Sequence, residues 1–165
     1  MRVLGIDPGS NITGYGIVEG QGNSFRHIDN GVIAPAATLS FPRRLQGIYG
    51  GIAELIDRYR PDSVAIENIF VAKNARSSLV LGHARGVAML AACQSNLEAA
   101  EYTPSQVKNA VTGSGRATKD QIQRMVRALL RLPEIAAEDA SDALAVAICH
   151  INCAGLAEKI ARSGR

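Results

Sequence analysis

Four acidic residues occupy positions from which their carboxylates could act on one substrate. Asp7 and Glu67 each end a short apolar run that is typical of a buried strand. Asp139 and Asp142 are three residues apart at the start of an apolar helical pattern, so they lie on one face of that helix. If the two strands are parallel neighbours and the helix packs over their ends, the four carboxylates meet.

Carboxylates without His or Cys are the ligands that Mg²⁺ and Mn²⁺ prefer. Two such ions, held roughly 3.5 to 4 Å apart, can bind the attacking water and the leaving oxygen of a phosphodiester displacement. The four acids therefore indicate a metal-dependent nuclease. We expect them to be the catalytic residues and the ligands of two Mg²⁺ ions per site, with Mn²⁺ as a substitute.

Each acid also has an ordinary structural explanation. Asp7 precedes Pro8 and Gly9, a combination that starts turns, and Glu67 could be a solvated residue at a strand end. Acidic residues in the first turn of a helix offset its dipole by roughly 0.3 to 1 kcal/mol each. Clustered carboxylates repel one another, however, and the four together need a counter-charge.

Positive charge is concentrated in two segments of the chain. The net charge is +3, yet residues 68–97 hold three basic residues and no acid, and residues 103–133 hold six basic residues and one acid, Asp120. Such segregation suits a protein that holds a polyanion. Two solvated helix faces would produce the same pattern.

Cysteine content and hydropathy bear on the compartment. Three cysteines without a signal-peptide pattern argue for a reducing environment, so we expect a cytoplasmic protein. Cys149 and Cys153 flank His150, but a zinc site takes four ligands and the other Cys and His residues lack matching spacing. We expect the cysteines to be small buried apolar residues. No apolar run approaches 18 residues, so no membrane span is predicted.

Periodicity and turn residues predict ten elements in the order β-β-β-α-β-α-β-α-α-α. Gly20 and Gly22 separate the second and third strands, which indicates an antiparallel meander. Pro61 ends the first helix, and this crossover makes the fourth strand parallel to the first. Capping boxes beginning at Thr103 and Thr118 start two later helices. The strands are predicted at residues 3–6, 13–19, 25–33, 63–67 and 97–102, and the helices at 42–59, 76–94, from 104, from 119, and 139–154.

This order is that of a ribonuclease H-like α/β fold, a five-stranded mixed sheet with its first strand central and helices on both faces. A chain of 165 residues has room for one such domain. We expect residues 1–154 to form a single nuclease domain and residues 155–165 to form a flexible C-terminal tail.

Four blocks of sequence resemble the RuvC family of bacterial Holliday junction resolvases, the crossover junction endodeoxyribonucleases. The blocks occur in the family's order and cover nearly the whole chain up to about residue 153. They read GIDPGSNITGYGIV, AIENIFVAKNARSSLVLGHARG, YTPSQVKNAVTGSGRATKDQI and EDASDALAVAICH. The four blocks together are highly specific.

The resemblance implies an enzyme that binds a four-way DNA junction and nicks two strands of like polarity, with the four acids as metal ligands. Phe70 falls where the family has an aromatic that stacks on bases at the junction centre, although core packing would also explain it. Lys108 and Lys119 match basic positions near the scissile phosphate, and we expect them to approach it without joining the carboxylates. The predicted DNA-binding residues are Phe70, Lys73, Asn74, Arg76, Lys108, Arg116 and Lys119.

The resemblance also implies a homodimer built on helix 76–94, with His83, Val87 and Leu90 as contact residues. Two symmetric cuts need two equivalent sites, which a two-fold dimer supplies. The RuvAB branch-migration complex is an expected partner. Two alternatives remain. A nonenzymatic junction-binding module would explain the basic segments but not the acids, and an actin-like phosphotransferase would need a second domain.

Overall fold

The structure is a computed structural model that describes residues 1–22, 24–68 and 75–163, with side chains described as far as residue 156. These residues form strands and helices in the predicted order. The strands are β1 (Arg2–Asp7), β2 (Thr13–Gln21), β3 (Ser24–Ile33), β4 (Ser63–Glu67) and β5 (Ala99–Tyr102). The helices are α1 (Phe41–Tyr59), α2 (Ala75–Gln94), α3 (Pro104–Thr112), α4 (Lys119–Leu130) and α5 (Glu138–Ser163).

A single mixed sheet with the strand order β3-β2-β1-β4-β5 forms the middle layer. The central strand, β1, is antiparallel to β2 and parallel to β4, as the crossover through α1 predicts. The register pairs Ile6 with Ile66, so Asp7 and Glu67, the next residue of each strand, lie at the same edge. The predicted fold class and the central first strand are confirmed.

Helices cover both faces of the sheet. Leu4 and Ile6 of β1 pack in the layer formed with α1 and α2, whereas Val3 packs in the layer formed with α3, α4 and α5. Side chains two apart in a strand point the same way, so Asp7 shares the face of Val3. Because side chains alternate between the two faces along β1, the Asp7 side chain points toward α5.

The most deeply buried helix is α5. Its residues from Ala143 to Cys149 are at most 1% exposed. The sheet covers one side of this helix, and α3 and α4 cover another. A helix that is apolar on every side is typical of a protein interior. The first turns of α5, which carry Asp139 and Asp142, are therefore anchored by a helix that is buried in the interior.

Side-chain caps determine where α3 and α4 begin. The hydroxyls of Thr103 and Thr118 accept the N–H groups of Gln106 and Gln121, each at 3.3 Å. The two Gln side chains in turn accept the N–H groups of the capping residues, at 2.8 and 2.9 Å. Both predicted capping boxes are confirmed.

Several element boundaries differ from the prediction by one or two residues, and the end of α5 differs by more. β5 begins at Ala99 rather than Leu97, because the Leu97 N–H bonds to the Ala92 carbonyl at 3.0 Å and closes the turn after α2. α5 is helical through Ser163 rather than ending at Ala154. The sequence LAEKIAR beyond Gly155 contains strong helix formers and no proline. That residues 155–165 are flexible remains a prediction.

The prediction of buried cysteines is correct for one of the three. Cys149 is buried, but Cys93 and Cys153 are exposed, and all three are free thiols. Cys93 directly follows the buried Ala91 and Ala92 of α2, and Cys153 lies beyond the buried stretch of α5. Among the described residues, no helix is both long and apolar enough to cross a bilayer.

Candidate active site

Asp7 and Glu67 lie side by side at the sheet edge, where the parallel strands β1 and β4 end. Burial, reinforced by the negative charges of Glu67, Asp142 and Asp139, raises the pKa of Asp7 to about 7. The ionised form of Asp7 is therefore disfavoured by its surroundings.

Two glycines allow α5 to approach this edge. A Cβ on Gly14 would lie 2.0 Å from the carbonyl oxygen of Asp139, and a Cβ on Gly5 would lie 2.1 Å from that of Ala143. No side chain fits at either position, so β1 and β2 present bare backbone to the first turns of α5. This contact brings Asp139 and Asp142 to the strand ends.

Burial and mutual repulsion mark the acids as one cluster. Burial and the charge of Asp142 raise the pKa of Glu67. Burial, together with the charges of Glu138 and Asp139, likewise raises the pKa of Asp142. The negative charges of Glu67, Asp139 and Asp142 thus act on Asp7, which makes this end of the sheet a region of negative charge. That these four acids are catalytic residues and metal ligands remains a prediction.

The counter-charge of the cluster is Lys119, the first residue of α4. Its Nζ lies 3.0 Å from Oδ2 of Asp142 and also donates a hydrogen bond to Oε1 of Glu138. Burial lowers the pKa of Lys119, but the hydrogen bonds to Glu138 and Asp142 outweigh it and raise this pKa above its usual range. The expectation that Lys119 stays apart from the carboxylates is wrong, because the starts of α4 and α5 face each other.

A cavity of about 170 Å³ opens beside the cluster, and its charged lining residues are Glu67, Lys108, Lys119 and Asp142. The positive charges of Lys119 and Lys108 lower the pKa of Glu67 against the effect of burial. Apolar side chains complete the wall, contributed by Val107, Ile122 and Ala145. The cavity offers anionic and cationic groups to one small polar ligand.

The donor set suits a hard divalent cation, since it consists of carboxylate oxygens alone. As the side chains stand, no group of three or more His, Cys, Asp or Glu residues in the described part of the chain forms a ready-made metal site. The Lys119 ammonium beside Asp142 offsets part of this negative charge. Asp7, Glu67, Asp139 and Asp142 are the oxygen donors that would hold such a cation.

A sequence model of the family described as crossover junction endodeoxyribonuclease RuvC matches residues 3–150. The chain belongs to the RuvC family. RuvC proteins of Syntrophotalea carbinolica and Geobacter metallireducens are 60% and 56% identical to it, over 93% and 100% of this chain and 95% and 100% of their own. The structure of T. thermophilus RuvC in complex with Holliday junction substrate matches with a TM-score of 0.91 and 32% identity, covering 95% of this chain and 96% of that one.

These matches confirm the RuvC resemblance and the ribonuclease H-like fold. The structure separates the predicted DNA-binding residues into three groups. Lys108 and Lys119 lie at the cavity. Arg76, near the start of α2, and Arg116, between α3 and α4, are exposed and do not line the cavity. The other three, Phe70, Lys73 and Asn74, lie outside the described residues.

The residues predicted for a RuvC-type dimer lie along the outer side of α2. Leu90 is 50% exposed, and His83 and Val87 line the same shallow groove. Leu79, 65% exposed, and the glycines of this helix extend the groove. This side of α2 is apolar and uncovered in the single chain.

Sequence reasoning missed two groups that contact the RuvC site or its supports. Glu138 binds Lys119, but an acid at a helix start is explained by the helix dipole alone, so nothing in the sequence linked the two. His150 of α5 bonds to Ser63 of β4 through Nε2 and to Tyr102 of β5 through Nδ1, each at 2.9 Å. Burial lowers the pKa of His150. The neutral ring ties α5 to the strand that ends in Glu67.

Proposed function

We propose that this RuvC-family chain is a Mg²⁺-dependent endonuclease that resolves four-way DNA junctions by paired symmetric nicks, in recombination and repair. The proposal is supported by the placement of Asp7 and Glu67 at neighbouring strand ends, where the charges of Asp139 and Asp142 also act on Asp7, beside a cavity that Lys119 lines. Partly buried acids that repel one another oppose folding, so such a cluster has a chemical purpose. The T. thermophilus relative solved with a Holliday junction supports the substrate.

Asp7, Glu67, Asp139 and Asp142 would hold two Mg²⁺ ions, and Mn²⁺ would substitute because it takes the same oxygen ligands. Bound metal supplies an activated water and stabilises the leaving oxygen of the phosphodiester. Asp7 would release its proton on metal binding, since ligands bind in their deprotonated form. Its pKa near 7 keeps that proton available for release at neutral pH.

Lys119 and Lys108 are placed to act on the reacting phosphate. Both line the cavity together with Glu67 and Asp142. The Lys119 ammonium can exchange its contact with Asp142 for a nonbridging phosphate oxygen and stabilise the charge that develops there. Arg76 and Arg116 would bind the backbone away from the reacting bond. Phe70, Lys73 and Asn74 keep the DNA-binding roles that the family resemblance predicts.

The apolar groove of α2 supports a homodimer. Leu79 and Leu90 expose large apolar side chains on one helix face, which favours burial against a second copy of the chain. A closed two-fold dimer would present two equivalent sites to the two strands of a junction. The proposed setting is the bacterial cytoplasm, with RuvAB as the expected partner complex.

The test is cleavage of a synthetic four-way junction compared with linear duplex of the same sequence. We expect Mg²⁺-dependent paired nicks in the junction alone. Asp7→Asn, Glu67→Gln, Asp139→Asn and Asp142→Asn should each abolish cleavage while junction binding survives or tightens, because each removes a ligand and a charge that repels phosphate.

Junction binding without cleavage in the wild-type chain would favour the nonenzymatic binding module. Phosphoryl transfer from ATP without cleavage would favour the actin-like alternative. A carboxylate variant that cleaves at the wild-type rate would remove that residue from the site.

A further inference from the structure

We propose that Glu138 is a positioning residue that holds the ammonium of Lys119 at the rim of the carboxylate cluster. The inference rests on the proposed function, in which Lys119 acts at the scissile phosphate. Glu138 is the residue before Asp139, and neither its position nor its spacing marked it as part of the site. Its contact with Lys119 is what assigns it there.

The contact joins two helix starts. Lys119 is the first residue of α4, and Glu138 is the first residue of α5. The Lys119 Nζ lies between Oε1 of Glu138 and Oδ2 of Asp142, so one ammonium bridges two carboxylates. The Glu138 side chain is 66% exposed and that of Asp142 is 24% exposed, which places Glu138 on the outer side of the bridge.

The position of Lys119 is not explained by the stability of α4. The start of a helix carries partial positive charge, and a cation there is unfavourable. Asp120, the next residue, supplies the acid that this helix start prefers. The Lys119 side chain instead points across to α5, where its ammonium lies 3.0 Å from Oδ2 of Asp142 and opposes the negative charge of the cluster.

The contact between Lys119 and Glu138 matters most when a substrate phosphate is bound. Metal and phosphate would both compete with Lys119 for its place beside Asp142. A lysine has a flexible four-carbon stem, so an ammonium without a second contact would swing into solvent, where half of the Lys119 side chain already lies. Glu138 keeps hold of the ammonium during this exchange and limits it to positions that reach the cavity.

An exposed ion pair by itself contributes little to stability. A surface ion pair without a function and a positioning contact therefore predict different results for Glu138 variants. A surface pair of no consequence would leave both the cleavage rate and the motion of Lys119 unchanged when Glu138 is neutralised. A positioning contact would change both, with almost no change in the free energy of unfolding.

The experiment compares Glu138→Gln, Lys119→Met and the double variant in the full-length chain. Single-turnover cleavage at saturating enzyme, junction affinity, and NMR relaxation of the Lys119 Cε group without metal are measured. Glu138→Gln should slow cleavage by up to about 100-fold, the order of effect of a misplaced catalytic group, while affinity changes less than about 2-fold. The Lys119 side chain should become mobile. Glu138→Asp should recover part of both properties.

The matched control is Glu19→Gln, which neutralises a glutamate paired with Arg26 and Arg2 at the opposite end of β1 and β2. It should cleave like the wild type. In the Lys119→Met background, Glu138→Gln should have no further effect on the rate, because its action passes through Lys119.

An unchanged rate in Glu138→Gln, an ordered Lys119 in that variant, or an equal loss in both backgrounds would overturn the positioning role. A Lys119→Met variant that cleaves at the wild-type rate would instead refute the proposed part of Lys119 in the reaction, and the positioning role with it. A wild-type chain that cuts no junction would refute the proposed function itself, whatever the relaxation data show.

Discussion

Gly14 of β2 and Asp139 of α5 meet backbone to backbone, so closely that a Cβ on Gly14 would lie 2.0 Å from the Asp139 carbonyl oxygen. The position of this aspartate is thus determined by the lack of a side chain on the neighbouring strand. Interiors are close-packed and relax only partially, so any larger residue at position 14 must push the start of α5 outward.

Gly14→Ala tests this relationship. We expect a loss of roughly 1 to 3 kcal/mol in the free energy of unfolding, as overpacking causes, and a cleavage rate at least about 100-fold lower because Asp139 and Asp142 move. Gly50→Ala is the matched control, since a Cβ there meets no atom within 4 Å and alanine favours the helix. Urea unfolding and junction cleavage measure both effects. A fully active Gly14→Ala protein would contradict the packing argument.

Part of this site could be predicted from the sequence. Asp7 and Glu67 follow apolar strands, and a helical crossover makes those strands parallel, so their meeting follows from topology. The approach of α5 could not be predicted, because Gly14 also fits an ordinary glycine within a strand. The contact between Lys119 and Asp142 depends on how two helix starts face each other, and periodicity within each helix carries no information about that.

Neutralising Asp7 should stabilise the protein at high pH. Its folded-state pKa of about 7 lies above the ordinary value of 3.8, so the folded state binds a proton that the unfolded chain has released. The stability from this proton is complete below about pH 4 and is lost as the pH rises through 7. In the presence of a chelator, Asp7→Asn should raise the unfolding free energy by roughly 2 to 4 kcal/mol at pH 8 and much less near pH 4.

Thermal or urea unfolding at both pH values tests this expectation, and an Asp7→Asn effect that is the same at both would contradict it. Added Mg²⁺ should raise the Tm of the wild-type chain more than that of Asp7→Asn, because a ligand stabilises the state that binds it.

The hydroxyl of Tyr102 should contribute measurably to stability. It bonds to Nδ1 of the half-buried His150 at 2.9 Å, and Tyr102→Phe leaves that nitrogen without its partner. We expect a loss of about 1 to 2 kcal/mol in the free energy of unfolding. Tyr49→Phe, which removes an exposed hydroxyl bonded to Gln94, should cost less than about 0.5 kcal/mol. Equal losses in the two variants would show that the hydrogen bond to His150 contributes no more to stability than an exposed hydrogen bond.

Leu90→Glu should dissociate the proposed dimer without unfolding the chain. The side chain is 50% exposed in the single chain, so a charge there is tolerated by the monomer but not by an apolar interface. Sedimentation should show dimer affinity weakened at least about 100-fold. Leu39→Glu, at a leucine that is 44% exposed before α1, serves as the control and should remain dimeric. A dimeric Leu90→Glu protein would place the interface elsewhere.

The arginines of α4 should act on affinity rather than on rate. Arg124 is exposed and pairs with Asp120 one turn away, so Arg124→Gln leaves the core intact. Junction affinity should fall, and the slope of its logarithm against log salt should decrease by about 0.9 for one lost phosphate contact. Arg60→Gln, at an arginine paired with Asp57 at the end of α1, should leave the slope unchanged. A change in single-turnover rate without a change in slope would rule out this role for Arg124.

The burial of α5 has a consequence for how activity is lost on heating. Hydrogen exchange in a native protein reaches its slowest rates where exposure requires global opening, and the amides from Ala143 to Cys149 belong to that class because their residues are at most 1% exposed. Asp142 is the residue that immediately precedes them. A partly opened molecule would therefore still hold Asp142 in place, and heat inactivation of this nuclease should coincide with the melting of the whole domain.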